Sequence, residues 1–166
     1  AWFCSYSYFA DYLGKEKHMS EREISLLLLL FGAMGVLSNY IAGKLLGKNM
    51  FWTTLFFIAG IFVIPFAFEY TGNSFFNVAF ITGIWGVMYG PCFLIGVGYM
   101  ISAAPHAKEF ANSLQTSFGN LGVSLGTSVG GFFIYKFDIS ITPWVGVGFG
   151  TLAILVIIWR AYLDKH

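Results

Sequence analysis

Residues 24–46 read ISLLLLLFGAMGVLSNYIAGKLL, an apolar stretch with a single charged residue, Lys44, near its end. A transmembrane helix needs about 20 mostly apolar residues, so this stretch is long enough to cross a bilayer. The run Leu26–Phe31 does not alternate between polar and apolar residues, as the strands of a membrane barrel would. The stretch therefore predicts a membrane-spanning helix. Just before it, Ser20 and Glu23 have the spacing of a capping box, with Ser20 as the N-cap.

The composition of the whole chain agrees with a membrane protein. Hydrophobic residues are 57% of the 166 residues and charged residues only 10%, whereas soluble domains are about a quarter charged. A chain of this length cannot hide so many apolar side chains in one core, so its surface must face something other than water. The formal net charge of +1 argues against a nucleic-acid partner, which would require a basic face.

Four more stretches approach or exceed the length of a membrane span, and short polar turns separate them. Residues 69–74, for example, form a polar turn that contains glycine and asparagine. Pro65 and Pro91 lie inside spans, where proline is predicted to kink a helix. The five full spans predicted in this way are Ile24–Leu46, Phe51–Phe68, Phe75–Ala103, Phe110–Tyr135 and Ile141–Tyr162.

The first residues of the chain, Ala1–Leu13, are also apolar but too short to cross a membrane. At 1.5 Å per residue they cover about two-thirds of a bilayer core of roughly 30 Å. We interpret them as the second half of a span that begins outside the chain. A short helix lying in the membrane interface is the alternative.

The basic residues of successive loops give a weak prediction of orientation. One side would hold five of them and the other four, and the richer side is expected to be cytoplasmic. This distribution favours a cytoplasmic C-terminus. The five are Lys44, Lys48, Lys108, Arg160 and Lys165, and the four are Lys15, Lys17, Arg22 and Lys136.

The span Phe110–Tyr135 carries two stripes when it is placed on a helix at about 100° per residue. The glycine stripe would let another helix approach closely, as small residues do in membranes. The polar stripe should face a partner helix or a water-filled cavity, although serine and threonine can also bond to their own helix. Both explanations stay open. The glycines are Gly119, Gly122, Gly126 and Gly130, and the polar residues are Ser113, Thr116, Asn120, Ser124 and Thr127.

The first full span repeats the glycine pattern at a constant offset of 87 positions. If Ala1–Leu13 is the first of six spans, the offset pairs span one with four, two with five and three with six. The pattern indicates an inverted repeat of three plus three helices. The helix-packing residues predicted in this span are Gly32, Gly35, Asn39 and Gly43, with Asn39 at the position that matches Gly126.

These residues resemble the C-terminal half of a major facilitator superfamily transporter. The resemblance is greatest to the drug:proton antiporter branch, which includes bacterial sugar, purine and drug efflux permeases. The pattern A-x-S-x6-N-x-G-x3-G-x3-G-G over residues 111–131 resembles the eleventh helix of that branch. Ser25–Gly32, with Gly35 and Asn39, resembles its eighth helix. Residues 42–48 resemble a degenerate cytoplasmic loop motif that lacks the usual acidic residue.

The resemblance implies an all-α membrane protein in which residues 1–166 form helices seven to twelve, with helix seven truncated. The N-terminal half would then be a missing partner. It also implies a multi-pass protein of the plasma (inner) membrane, with a cytoplasmic C-terminus and with no metal or cofactor. The implied function is secondary active transport: proton-coupled efflux of a small organic molecule by alternating access. The alternative is a six-helix channel or a membrane assembly protein that does not transport.

An enzyme is the least supported class, since no catalytic or metal-binding set of side chains converges at one depth. The candidate substrate contacts are polar or aromatic residues near the middle of spans, because small-molecule sites are mostly apolar with few polar groups. Aromatic residues are 20% of the chain, so some must instead face lipid or the interface. The candidates are Tyr6, Tyr8, Trp85, Tyr89, Gln115, Thr116 and Asn120.

The acidic residues nearest to the spans all lie at span ends. Ionisable groups that carry protons across membranes are usually buried within the spans. The proton-carrying group of a proton-driven transporter is therefore expected outside this chain. The four residues are Asp11, Glu69, Glu109 and Asp138.

Overall fold

The computed structural model describes residues 6–163, except for the side chains of residues 149, 153, 157, 160, 161 and 163. This part of the chain is helical and contains no strand, which confirms the predicted all-α class. Residues 1–5 of the predicted half-span lie outside the described residues. The helices are α1 (Phe9–Lys15), α2 (Glu21–Leu46), α3 (Met50–Tyr70), α4 (Phe75–Tyr89), α5 (Cys92–Ala103), α6 (Lys108–Lys136) and α7 (Thr142–Leu163), with a 3-10 turn at Ile139–Ile141 before α7.

Within residues 6–163, four helical segments are long and apolar enough to cross a membrane. They correspond to the first, second, third and fifth of the predicted full spans. The predicted span Phe110–Tyr135 forms α6, a helix of 29 residues. It is not among the four because its glycines and polar residues lower its hydropathy. The four segments are Glu21–Leu46, Met50–Tyr70, Phe75–Ala103 and Ile139–Val156.

The beginnings of α2 and α3 are set by side chains that cap the first turn. At α2 the backbone N–H of Ser20 donates to the Glu23 carboxylate at 2.8 Å, and the Glu23 N–H donates to the Ser20 hydroxyl. The predicted capping box is therefore confirmed. At α3 the side chain of Asn49 accepts a hydrogen bond from the Trp52 N–H at 3.1 Å.

The predicted third span is divided into two helices at Gly90–Pro91. Pro91 has no N–H, so the Val87 carbonyl loses its usual intrahelical donor and the helix breaks there. The Cys92 thiol donates to the Met88 carbonyl, with Sγ 3.7 Å from the oxygen. Pro65, by contrast, lies inside α3, which continues through it.

The most extensive helix contact joins α2 and α4, which run parallel. A Cβ atom added at Gly86 would overlap the Phe31 carbonyl, and one added at Gly90 would overlap the backbone of Gly35. The two helices therefore meet backbone to backbone, as small residues allow in membranes. α3 packs across this pair and also contacts α5 and α7, while α6 contacts α5 and α7.

The predicted packing residues have different surroundings. Gly35 is buried, and a Cβ atom there would lie 3.4 Å from the Gly86 carbonyl oxygen; at Gly43 the nearest atom would belong to Leu94, at 3.9 Å. The Asn39 Oδ1 atom is buried and accepts no hydrogen bond within the described chain. Cβ atoms at Gly32, Gly119 and Gly122 would meet nothing within 4 Å, while Gly126 and Gly130 are buried in α6. The packing role of this set stays a prediction, as does the internal repeat.

Candidate functional site

An aromatic cluster lies where α1, α2 and α4 meet, with the end of α3 against it. We use this name for Tyr6, Phe9, Phe31, Phe68, Trp85 and Tyr89. The Tyr6 ring stacks on Phe31 with 5.0 Å between centroids, and Phe31 lies 5.3 Å from Tyr89. The rings of Tyr6 and Tyr89 are 6.0 Å apart and nearly parallel, at 19°.

Trp85 occupies the centre of the aromatic cluster and is only 5% exposed. Its ring contacts Phe9 edge-on at 4.7 Å and Phe31 at 5.0 Å. Phe68 is farther away, at 6.1 Å. Edge-to-face pairs at these distances are the arrangement that aromatic quadrupoles favour. The cluster is therefore a packed aromatic surface whose members all lack charge.

Three of the four predicted aromatic contacts, Tyr6, Trp85 and Tyr89, belong to the aromatic cluster. The sequence interpretation missed Phe9, which follows Tyr6 by three positions, a spacing that places both on one helix face. It also named Phe31 only as the end of the apolar run Leu26–Phe31. Both signals were present in the sequence, but neither identifies a ring partner on another helix.

Tyr8 lies on a different side of the structure from Tyr6. Its hydroxyl donates to the Thr127 carbonyl of α6 at 3.0 Å. The hydroxyls of Ser7 and Thr127 lie 3.2 Å apart beside it. These contacts join the start of the described chain to α6, which gives Tyr8 a structural bond in the arrangement observed.

The three candidates on α6 are not part of the aromatic cluster. Gln115 is partly buried and its amide packs against Gly96 of α5. Thr116 and Asn120 are exposed. The structure thus places Tyr6, Trp85 and Tyr89 in the aromatic cluster and Thr116 and Asn120 on an exposed face. Tyr8 and Gln115 instead contact neighbouring helices.

The polar stripe of α6 is exposed along most of its length, and the hydroxyls of Thr116 and Ser124 bond to their own helix. Thr116 donates to the Asn112 carbonyl at 3.0 Å, and Ser124 donates to the Asn120 carbonyl at 3.1 Å. Ser117, beside the stripe, does the same with the carbonyl of Ser113. Back-bonding of this kind is the local alternative that serine and threonine have in helices. It occurs here together with exposure, so it does not exclude a cavity on this face.

A small cavity lies beside the aromatic cluster, between α1, α3, α4 and α7. Its volume is about 30 Å³, which suits roughly one water molecule. Phe9, Trp85 and Pro65 form part of its mostly apolar wall, and Thr142 contributes a hydroxyl. In this arrangement the cavity is too small for an organic ligand.

The described chain offers no metal-binding group, and the acidic residues at its span ends lie at the surface. No group of three His, Cys, Asp or Glu residues within residues 6–163 is placed to hold a metal ion. The four acidic residues that the sequence places at span ends, Asp11, Glu69, Glu109 and Asp138, are all exposed. The site that the structure presents is therefore aromatic and uncharged.

Comparison with known proteins gives a consistent set of relatives. The family model described as Major Facilitator Superfamily matches residues 1–166. A probable sugar efflux transporter of Helicobacter pylori is 25% identical, covering 97% of this chain and 40% of its own length. The inner membrane transport protein YdhP of Escherichia coli (strain K12) is 27% identical, covering 97% of this chain and 42% of its own. The chain thus spans about two-fifths of the length of the curated relatives it matches.

Proposed function

Because this chain belongs to the major facilitator superfamily, whose members are membrane transporters and not enzymes, we propose that it exports a small organic molecule as part of a secondary active transporter. Residues 1–166 are proposed to be the C-terminal half, helices seven to twelve, of a protein with the length of its relatives. The N-terminal half is the proposed partner. Multi-pass insertion in the inner membrane follows from the apolar helices and the relatives, and a cytoplasmic C-terminus is the proposed orientation.

The observation that carries the proposal is the aromatic cluster. Tyr6 lies at its edge and is partly exposed, whereas Trp85 is buried behind it. A partly exposed aromatic surface supported by a rigid layer of rings suits one wall of a small-molecule site. The exposed polar face of α6, with Thr116 and Asn120, would supply a second wall. The N-terminal half would close the cavity between them.

The proposed substrate class is uncharged and ring-containing. No member of the aromatic cluster carries a charge, so a charged substrate would lose its hydration there without a compensating ion pair. Aromatic faces stack well on flat apolar faces, including the C–H face of a sugar ring. The relative from Helicobacter pylori carries the printed name of a probable sugar efflux transporter, which agrees with this class.

Alternating access is proposed to use the break between α4 and α5. Gly90 and Pro91 interrupt the helix close to Tyr89. A helix that lacks hydrogen bonds at one point bends there more readily than elsewhere. Movement of α5 relative to α4 would then change the surroundings of the aromatic cluster on the side of Tyr89, next to the break.

Transport by the complete protein in proteoliposomes tests the site. Tyr89→Ala removes a ring from the aromatic cluster, and the loss of about 0.5–1.5 kcal/mol per aromatic pair predicts a rise in KM of roughly two- to tenfold. Tyr89→Phe keeps the ring and should keep KM within about twofold. Tyr70→Ala, at an exposed position on the end of α3, is the matched control. An unchanged KM for Tyr89→Ala in a well-folded protein would contradict the proposed site.

A further inference from the structure

A groove of about 350 Å³ opens at the turn between α2 and α3. One of its walls is apolar and comes from Leu45, Trp52 and Phe56. Its polar end contains Lys48 and Asn49, next to the first turn of α3. The groove therefore combines one cation with an apolar channel, and this combination suits an amphipathic ligand.

The apolar wall continues along the outer face of α3. Trp52 is 64% exposed and Phe56 is 57% exposed, although both are large hydrophobic residues. Val63 and Phe66 extend the same exposed side toward the other end of the helix. Such a stripe is unfavourable in water, and in a bilayer it is a surface for an acyl chain.

The polar end of the groove is positive. Lys44 and Lys48 are four residues apart, and the sequence from Tyr40 to Phe57 contains no Asp or Glu. The Lys44 ammonium lies 4.3 Å from the centroid of the Tyr40 ring, so Lys44 is directed along α2. Lys48 remains as the cation of the groove itself, and the positive end of the α3 dipole adds to its field.

The Asn49 side-chain oxygen and the Thr53 hydroxyl are already bonded within the protein. Asn49 accepts from the Trp52 N–H, and the Thr53 hydroxyl donates to the Asn49 carbonyl at 2.7 Å. The charge at this end comes from Lys48, and the Asn49 amide adds neutral N–H donors beside it. Trp52 beside it is the residue type that concentrates at the headgroup level of membranes.

We propose that this groove binds an anionic phospholipid. The lipid phosphate lies against Lys48, and one acyl chain follows Trp52 and Phe56 along α3. Basic residues beside transmembrane helices attract the headgroups of anionic lipids. The groove would hold the lipid in one position, because the apolar wall of Trp52 and Phe56 begins next to Lys48.

The test uses the complete transporter in detergent and measures Tm as lipid is added. Phosphatidylglycerol should raise Tm, and phosphatidylcholine of the same chain length should raise it much less. Lys48→Gln should reduce the rise with phosphatidylglycerol by at least half, and Lys48→Arg should keep it. Lys15→Gln, at an exposed lysine of α1, is the matched control and should behave as the wild type.

Two further measurements distinguish the lipid from other sources of phosphate and from a folding defect. Soluble glycerol 3-phosphate should not shift Tm, because it lacks the acyl chain that the apolar wall binds. Trp52→Ala should weaken the response to phosphatidylglycerol while the lipid-free Tm stays near the wild-type value. The proposal is overturned if phosphatidylcholine acts equally, if glycerol 3-phosphate suffices, or if Lys48→Gln responds like the wild type.

Discussion

Lys17 shows how one loop residue can hold distant parts of the chain together. It is only 6% exposed, and its ammonium donates to the carbonyls of Phe68 and Thr71, at 2.7 Å each. These carbonyls belong to the end of α3, where the last helical C=O groups have no partner within the helix. The loop between α1 and α2 therefore caps a helix that ends more than 50 residues later.

We expect Lys17→Met to destabilise the protein. The methionine keeps the apolar stem but leaves two carbonyls without a donor, which costs about 1–3 kcal/mol. The measurement is Tm of the complete transporter in detergent. Lys15→Met, at an exposed lysine two positions earlier, is the control and should change Tm little. Equal Tm values for the two variants would refute the capping role.

Because of Lys17, the free energy of unfolding should also change with pH in the alkaline range. Burial lowers the pKa of Lys17 from 10.5, and the nearby carboxylates of Glu69 and Glu16 oppose that shift. Between the lowered pKa and 10.5 the unfolded state binds more protons, so the free energy of unfolding rises with pH in that window. A neutral amine still has two N–H donors for the two carbonyls. Unfolding measured from pH 8 to 10.5 should show this rise in the wild type and a smaller one in Lys17→Met.

At the scale of the element, helix positions followed from the sequence because long apolar runs leave few alternatives. The ends of α2, α3, α6 and α7 lie within three residues of the predicted ends. The break between α4 and α5 was not predicted as a helix end. Hydropathy continues unchanged through Pro91, and only the missing N–H interrupts the helix.

The contact between α2 and α4 provides a prediction about glycine. Gly86→Ala should destabilise the protein by about 1–3 kcal/mol, because the added methyl group would overlap the backbone at Phe31. Gly32→Ala, on α2 with open space around it, should be neutral or stabilising by up to about 1 kcal/mol. Tm of the two variants, compared with the wild type, checks the difference. A harmless Gly86→Ala would show that the helices are not packed this closely.

At the scale of the whole molecule, the site was only partly predictable. Residue type and depth predict Tyr6, Trp85 and Tyr89 as substrate contacts, and this stays a prediction. Their assembly with rings from α1, α2 and α4 is what the structure adds. Phe31 and Phe9 could not be recognised because ring contacts between helices leave no periodic signal in one sequence. The depth of Tyr8 suggested a ligand contact, whereas its hydroxyl bonds to the α6 backbone.

The proton-carrying group is proposed to lie in the N-terminal half, and this predicts the effect of neutralising acidic residues in the present chain. Each of the four acidic residues at span ends is exposed, so neutralising any one should leave transport coupled to protons. The variants are Asp11→Asn, Glu69→Gln, Glu109→Gln and Asp138→Asn. Transport by the complete protein, measured with and without an imposed pH gradient, gives the answer. A variant that transports but ignores the gradient would place the proton-carrying group in this chain.

The back-bonded hydroxyls of α6 have one more consequence. Thr116, Ser117 and Ser124 each use their only proton within the helix. What these three hydroxyls present outward is lone pairs, so at their positions the face accepts hydrogen bonds, and the exposed Asn120 amide is left as a donor between them. A ligand group that lies against these three hydroxyls must bring its own protons, as water and polyhydroxylated molecules do. A ligand that offers only ether or carbonyl oxygens would find no hydroxyl partner on these three residues.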